Sequence, residues 1–305
     1  MGIVKYYTGI LSGLFIVFSS PMFVLADDRN KSEQDTIKVV MSAAFVSDQG
    51  IGIYSDMFRY LGNKLNIEVE FISGFSYETI NQMLDSGMVD IGFICGLPYV
   101  MKKDEAKSNI ELLVAPVMKN KKYHDSPVYY SYVIVNKKSQ YQNFTDLKGS
   151  HFAYNDEISN SGYNMPRAHL IDLDKTSGFF AKVSRSGSHE ESIRMVATGE
   201  ADASAIDSLV YDYDYLYNPV YVNKTRIIQV LGPAGIPPVV IAAKTPKHIK
   251  NKIKNILINM SEDTEGKKIL DKALVDRFVE VSDDNYDSIR LMKKKSLDSG
   301  YAVIR

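Results

Sequence analysis

The chain has 305 residues, 45% of them hydrophobic and 24% charged, with a formal net charge of −1. That composition suits ordinary globular material long enough for two domains, and the near-neutral charge excludes nucleic acid as a partner. A single cysteine, Cys95, rules out an intramolecular disulfide, so stability has to come from a buried core.

In chain order, Lys5 precedes an apolar run over residues 10–24, and Val24-Leu25-Ala26 then leads into the charged Asp27-Asp28-Arg29. This order of basic, apolar and small-residue segments predicts a cleavable secretory signal peptide over residues 1–26. No cysteine follows it to carry a lipid, so the expected location is the periplasm. Loss of Lys5 takes the net charge from −1 to −2.

Residues 36–43 (TIKVVMSA) read as a strand, followed by the polar loop Ser47-Asp48-Gln49-Gly50. Residues 53–65 carry apolar positions at helical spacing, and residues 67–72 (IEVEFI) alternate as a strand. A βαβ opening of this kind predicts a mostly parallel sheet flanked by helices.

A helix-turn-strand unit then occurs twice. Residues 76–84 lead through Asp85-Ser86-Gly87 into MVDIGFI, and residues 188–197 lead through Thr198-Gly199 into EADASAI. Each copy has an amphipathic helix, a glycine suited to a left-handed exit, and a short apolar strand entered through an aspartate. Duplication predicts two similar lobes. Crossings between them are expected near 128–135 and 227–240, the second rich in proline. Lobe 1 would then hold residues 36–133 plus 235–305, and lobe 2 would be an insert of residues 134–228.

The stretch SGSHEES at 186–192 raises the question of chemistry. No G-x-S-x-G elbow is present, and the five histidines are scattered without an i,i+4 pair, which disfavours a serine hydrolase or a metal site. Ser188 reads as an N-cap with Glu191 completing a capping box. The free N–H groups of such a helix start also suit an anion. A second hydroxyl-rich loop, NDEISNSGYNMP at 155–166, lies in the same insert. Opposite them, the first lobe offers the Ser47 loop, Tyr54 and Gly96-Leu97-Pro98-Tyr99. A ligand held between two lobes, beyond the carboxyl ends of the strands, is the economical reading.

The order S-x-S-G-x-x-x-P, then SGSHE-x-S, then G-x-A-D-A-x-A-I-D resembles the phosphate/phosphite/phosphonate-binding family of periplasmic solute-binding proteins. The GLPYV after the first repeat strand and the SYVIV that begins at Ser131 share the resemblance. It implies a two-lobe clamshell of type II-like form, a monomer without cofactor or turnover, that hands a small oxyanion to an inner-membrane ABC permease. It also implies cleft positions: Ser159, Asn160, Ser161, His189, Tyr99 and Asp207, with Ser47, Tyr54 and Ser131 as further candidates. Where relatives often carry S-T-S, this chain has Asn160 in the middle. Two alternatives stay open: a receptor for a membrane sensor kinase, and capture of arsenite through a Cys95 thiolate. For Asp207, a simple capping role stands beside a role in the cleft.

Overall fold

A computed structural model describes residues 36–42 and 51–305. The expected signal peptide and Ser47 lie outside the described residues. Strand β1 (Thr36–Met41) is followed by α1 (Ile51–Leu65), β2 (Glu68–Ile72), α2 (Tyr77–Asp85), β3 (Ile91–Phe93), α3 (Gly96–Lys103) and β4 (Ile110–Met118). The chain then enters β5 (Val128–Asn136), β6 (His151–Tyr154), α4 (Met165–Asp172), β7 (Lys182–Arg185), α5 (His189–Thr198), β8 (Ala203–Asp207), α6 (Ser208–Tyr217), α7 (Pro219–Val222) and β9 (Thr225–Gly235). It closes with β10 (Val239–Ala242), α8 (Lys247–Ile258), α9 (Thr264–Lys272), β11 (Val275–Val279) and α10 (Asp287–Asp298).

These strands form two sheets, ordered β11-β4-β10-β3-β1-β2 and β7-β6-β8-β5-β9. The two-sheet α/β clamshell class therefore holds, but the sheets are mixed rather than mostly parallel. The pairs β1–β2, β1–β3, β6–β7 and β6–β8 are parallel. The pairs β10–β3, β10–β4, β11–β4, β5–β8 and β5–β9 are antiparallel. The reason is topological. Each βαβ opening makes parallel neighbours through a helix, whereas β5 and β10, which arrive from the other sheet, insert between two strands and run opposite to both.

Both segments expected as crossings are ladder strands of the second sheet over most of their length. β5 lies between β8 and β9, and β9 forms the edge, where Pro233 leaves no central ladder bond unmade. The chain passes between sheets through residues 119–127 and returns through Ile236-Pro237-Pro238. The C-terminal residues, grouped by sequence with the first lobe, bond to elements of the second. Ile304 N donates to the Tyr163 hydroxyl at 3.0 Å, Phe179 N to the Arg305 carbonyl at 3.2 Å, and Arg167 to the Ala302 carbonyl at 2.8 Å.

The duplicated unit is present in both sheets. Gly87 and Gly199 adopt φ of +66° and +83°, the left-handed exit that a side chain would strain. They release the chain into β3 and β8, each flanked by one parallel and one antiparallel neighbour. Aromatic clusters fill the space beneath the sheets. Phe58 packs on Phe93 and Phe71 at 5.2 and 4.7 Å in one, and Phe152 stacks on Phe180 at 4.6 Å in the other.

Candidate functional site

The site is built where β6 and β8 end. Asp207 is the last residue of β8, directly opposite Ser131 of β5 in the ladder. It is fully buried, and it caps α6 by accepting the Leu209 amide on Oδ1 at 2.8 Å. Its other oxygen accepts the Ser161 hydroxyl at 3.3 Å. Capping and facing the cluster are thus both true of this residue. Burial pushes its carboxyl well above the usual carboxylate range, an effect the two hydrogen bonds only partly offset.

After β6 the chain folds back in a tight loop. Asn160–Asn164 form one π-helical turn capped by the Ser159 hydroxyl, which accepts the Gly162 amide at 3.1 Å. α4 starts at Met165, directly after this wide turn. Glycine is required at 162, because a Cβ there would lie 1.8 Å from Asn155 Oδ1. Ser131 Oγ donates to the Ser161 carbonyl at 2.7 Å and so fastens the turn to the sheet. Asn160 donates from Nδ2 to the Tyr129 hydroxyl at 2.9 Å, and its backbone N–H meets Cys95 Sγ at 3.5 Å.

The opening motif SGSHEES supplies the third side. Ser188 caps α5 by accepting the Glu191 amide at 3.0 Å. The capping box is only half formed: the Glu191 carboxylate takes Arg194 at 2.7 and 2.6 Å, since a paired charge outcompetes a neutral backbone amide. Ser186 bonds to the Tyr154 and Ser188 carbonyls and to Ser192, and not to His189, so no serine nucleophile is activated here.

His189 is buried and held at both nitrogens. Nδ1 accepts the Asp207 amide at 3.4 Å, which places the ring proton on Nε2, 3.2 Å from the Asn155 carboxamide. That carboxamide also meets the Tyr77 hydroxyl at 3.4 Å, and its Oδ1 is buried without a partner. Turning the amide so that oxygen faces Nε2–H and the Tyr77 hydroxyl satisfies all three groups. Burial alone pushes the imidazole down to about 3, so the ring is neutral.

The structure therefore brings Ser131, Ser159, Asn160, Ser161, His189 and Asp207 together. Two expected residues do not bond to this cluster. Tyr54 packs 6.0 Å from the Phe93 ring and interacts electrostatically with Tyr213 of α6. Tyr99 stacks on Tyr286 at 4.5 Å and donates to Asp283 at 2.6 Å, which turns its hydroxyl toward the C-terminal region. The reason is helix phase: α3 begins at Gly96, and Tyr99 falls on the face covered by Tyr286.

Sequence reasoning missed Tyr77, Tyr129 and Asn155. Asn155 opens the loop already singled out, so its position was available as a signal, whereas nothing local marks Tyr77. Cys95 is fully buried, as a small apolar residue is; β3 ends at Phe93, and the thiol forms a small cluster with Tyr77 and Ile158. Burial pushes it up to about 12, which disfavours a free thiolate.

Among the described residues no lysine or arginine bonds to this donor cluster, and no group of histidines, cysteines and acids could hold a metal ion. What the cluster offers is neutral donors: hydroxyls, amides, a backbone N–H and an imidazole. Such a set can hold an oxyanion without a counter-charge.

Known proteins resemble this chain in sequence and fold. A curated relative from Prochlorococcus marinus (strain MIT 9301), named "Probable ABC transporter phosphite binding protein", is 23% identical over 95% of this chain and 97% of its own length. The phosphonates-binding periplasmic protein of Escherichia coli K12 is 24% identical over 72% of this chain and 64% of its own. Among solved structures, a binding-protein component of an ABC phosphonate transporter from Pseudomonas aeruginosa superposes with a TM-score of 0.76 at 21% identity, covering 88% of this chain and 89% of that one. The Prochlorococcus protein in complex with methylphosphonate gives 0.75 at 20% identity, covering 86% and 98%. A family profile described as "ABC transporter, phosphonate, periplasmic substrate-binding protein" matches residues 39–286, and the chain belongs to that family.

Proposed function

We propose that this protein captures a small phosphorus oxyanion, a phosphonate, phosphite or phosphate, between lobes centred on its two sheets. The bound lobes then dock on an inner-membrane ABC permease. The observation that carries the reading is the buried, cation-free donor set of Asn155, Asn160, Ser161 and His189 around a carboxyl whose burial favours its neutral form. Neutral dipoles desolvate at less cost than charges, and a neutral acid can donate to an anion instead of repelling it. Ser131, Ser159 and Asp207 complete the set. The protein acts as a monomer, exported by cleavage after residue 26, and turns nothing over.

Methylphosphonate, phosphite and phosphate added separately to the mature protein should raise its melting temperature. At about 100 times the dissociation constant the stabilisation is roughly 2.7 kcal/mol. Phosphorus NMR of the same samples should show unchanged ligand. Product accumulating over many turnovers, or no stabilisation by any of the three, refutes the proposal.

A further inference from the structure

An exposed apolar surface lies well away from the donor cluster. α6 leaves Asp207 and runs to Tyr217, roughly 15 Å at 1.5 Å per residue. The β5–β9 ladder runs from Ser131, opposite Asp207, to Asn136 and Thr225, roughly 17 Å at 3.3 Å per residue. Helix and ladder run the same way, since the Tyr211 hydroxyl of α6 lies 3.1 Å from that of Thr225. At this end Tyr215, Leu216, Tyr217, Val220 and Tyr221 are all exposed, Leu216 by 59% and Val220 by 61%. Single exposed apolar residues are ordinary, but five within residues 215–221 make a patch. The patch is held on ordered structure: the Tyr217 ring packs on Tyr213 at 4.8 Å, and Val222 is buried in a second-sheet core cluster.

The rim of the patch is cationic. Lys224 sits over the Tyr221 ring at 5.5 Å, and its carbonyl accepts the Lys137 N–H at 2.8 Å, which brings Lys137 and Lys138 beside it. All three lysines are exposed, and among the described residues none is in an ion pair. Residues 129–145 and 215–230 include no aspartate or glutamate. Acids on neighbouring elements are already engaged: Asp214 is buried, Asp212 holds Lys122, and Glu200 beyond α5 holds Arg194. Tyrosine rings, short apolar side chains and lysines together match the headgroup region of an anionic bilayer, where rings sit at the boundary and ammonium groups meet phosphate. We propose that the tip formed by residues 215–221 with Lys137, Lys138 and Lys224 binds reversibly to the surface of an anionic phospholipid bilayer. This goes beyond the oxyanion reading and does not depend on it. No described helix is long and apolar enough to cross a membrane, so the contact is peripheral. A second copy of this chain fits the patch less well, because a two-fold contact sets one lysine rim against the other. The donor cluster lies at the other end of α6, so lipid contact leaves it uncovered.

Co-sedimentation of the mature protein with vesicles tests this, using phosphatidylcholine alone and an equal mixture with phosphatidylglycerol. A lysine near an anionic surface contributes about fivefold in partitioning. The wild type should therefore bind the mixed vesicles at least roughly tenfold better, and lose most of that advantage in about 0.5 M salt. The double variant Lys137→Glu/Lys224→Glu should abolish the preference for anionic vesicles. Leu216→Ser/Val220→Ser should weaken binding several-fold while the preference remains, since less apolar surface leaves water. These side chains are exposed, so both variants should melt with the wild type, which separates loss of contact from loss of fold. No binding to either vesicle, equal binding to both, or apolar variants that bind as the wild type does overturns the proposal. So does a lipid-free dimer in sedimentation velocity that Leu216→Ser/Val220→Ser dissociates, because the patch then serves a second copy.

Discussion

Acidification should destabilise the protein through one identifiable group, His189. Its imidazole is buried with Nδ1 accepting the Asp207 amide, and burial pushes it from 6.5 down to about 3. A group whose folded pKa is depressed gives stability that is present above its unfolded pKa and lost as pH falls toward the folded one. The window therefore opens near pH 6.5 and closes near pH 3. In the unfolded chain the imidazole goes from about one-quarter to nearly fully protonated between pH 7 and pH 5, while in the folded protein it stays neutral. Linkage then gives a loss of about 2 kcal/mol over that interval. For a chain of this size the loss corresponds to a drop of roughly 4 to 8 °C in melting temperature. The assay is thermal or urea unfolding at pH 7 and pH 5 for the wild type and His189→Gln. Other groups titrate in both proteins, and the burial of Asp207 works in the opposite sense at lower pH, so the difference between the two slopes isolates His189. The variant should lack about 2 kcal/mol of the acid-induced loss. Proton NMR of the wild-type imidazole gives the same information without a substitution. Coincident slopes, or an imidazole that titrates near 6.5 in the native protein, refute the buried neutral ring.

Two further substitutions separate the site from its surroundings. Gly162→Ala drives a methyl into Asn155 Oδ1 and should weaken methylphosphonate binding by at least tenfold while the helices remain; unchanged affinity in calorimetry would show that the π-turn is free to shift. Tyr99→Phe removes the bond to Asp283 and should lower stability in urea by roughly 1 kcal/mol with ligand affinity unchanged; a large loss of affinity would return Tyr99 to the cleft.

How much of this was legible in the sequence depends on whether the signal was local. The left-handed glycines at 87 and 199 and the Ser188 cap are decided within a few residues, and the chain spells them out. Strand sense is not local. β5 carries the alternation of any strand, and only its arrival from the first sheet makes it antiparallel to both β8 and β9. The same limit explains the site. The second-sheet donors cluster because they sit on two short loops, whereas Tyr77 and Cys95 reach them only through the packing of one sheet's strand ends against the other's. Tyr99 shows the converse error: a family motif fixed its neighbourhood, but the phase of α3 decided where the hydroxyl went.

On the proposed oxyanion reading, the absence of a bonded cation from the cluster among the described residues suits a site that empties between captures. A lysine or arginine held there would stand desolvated and unpaired whenever the ligand left, at a cost of several kcal/mol. Hydroxyls and amides avoid this because they can bond to one another in the meantime. Ser131 holds the Ser161 carbonyl, Ser161 holds Asp207, and Asn160 holds Tyr129. Asp207 extends the same logic. Its burial favours the protonated acid, so the one ionisable oxygen pair facing the cluster can serve as a donor, and its Oδ1 is already committed to the Leu209 amide.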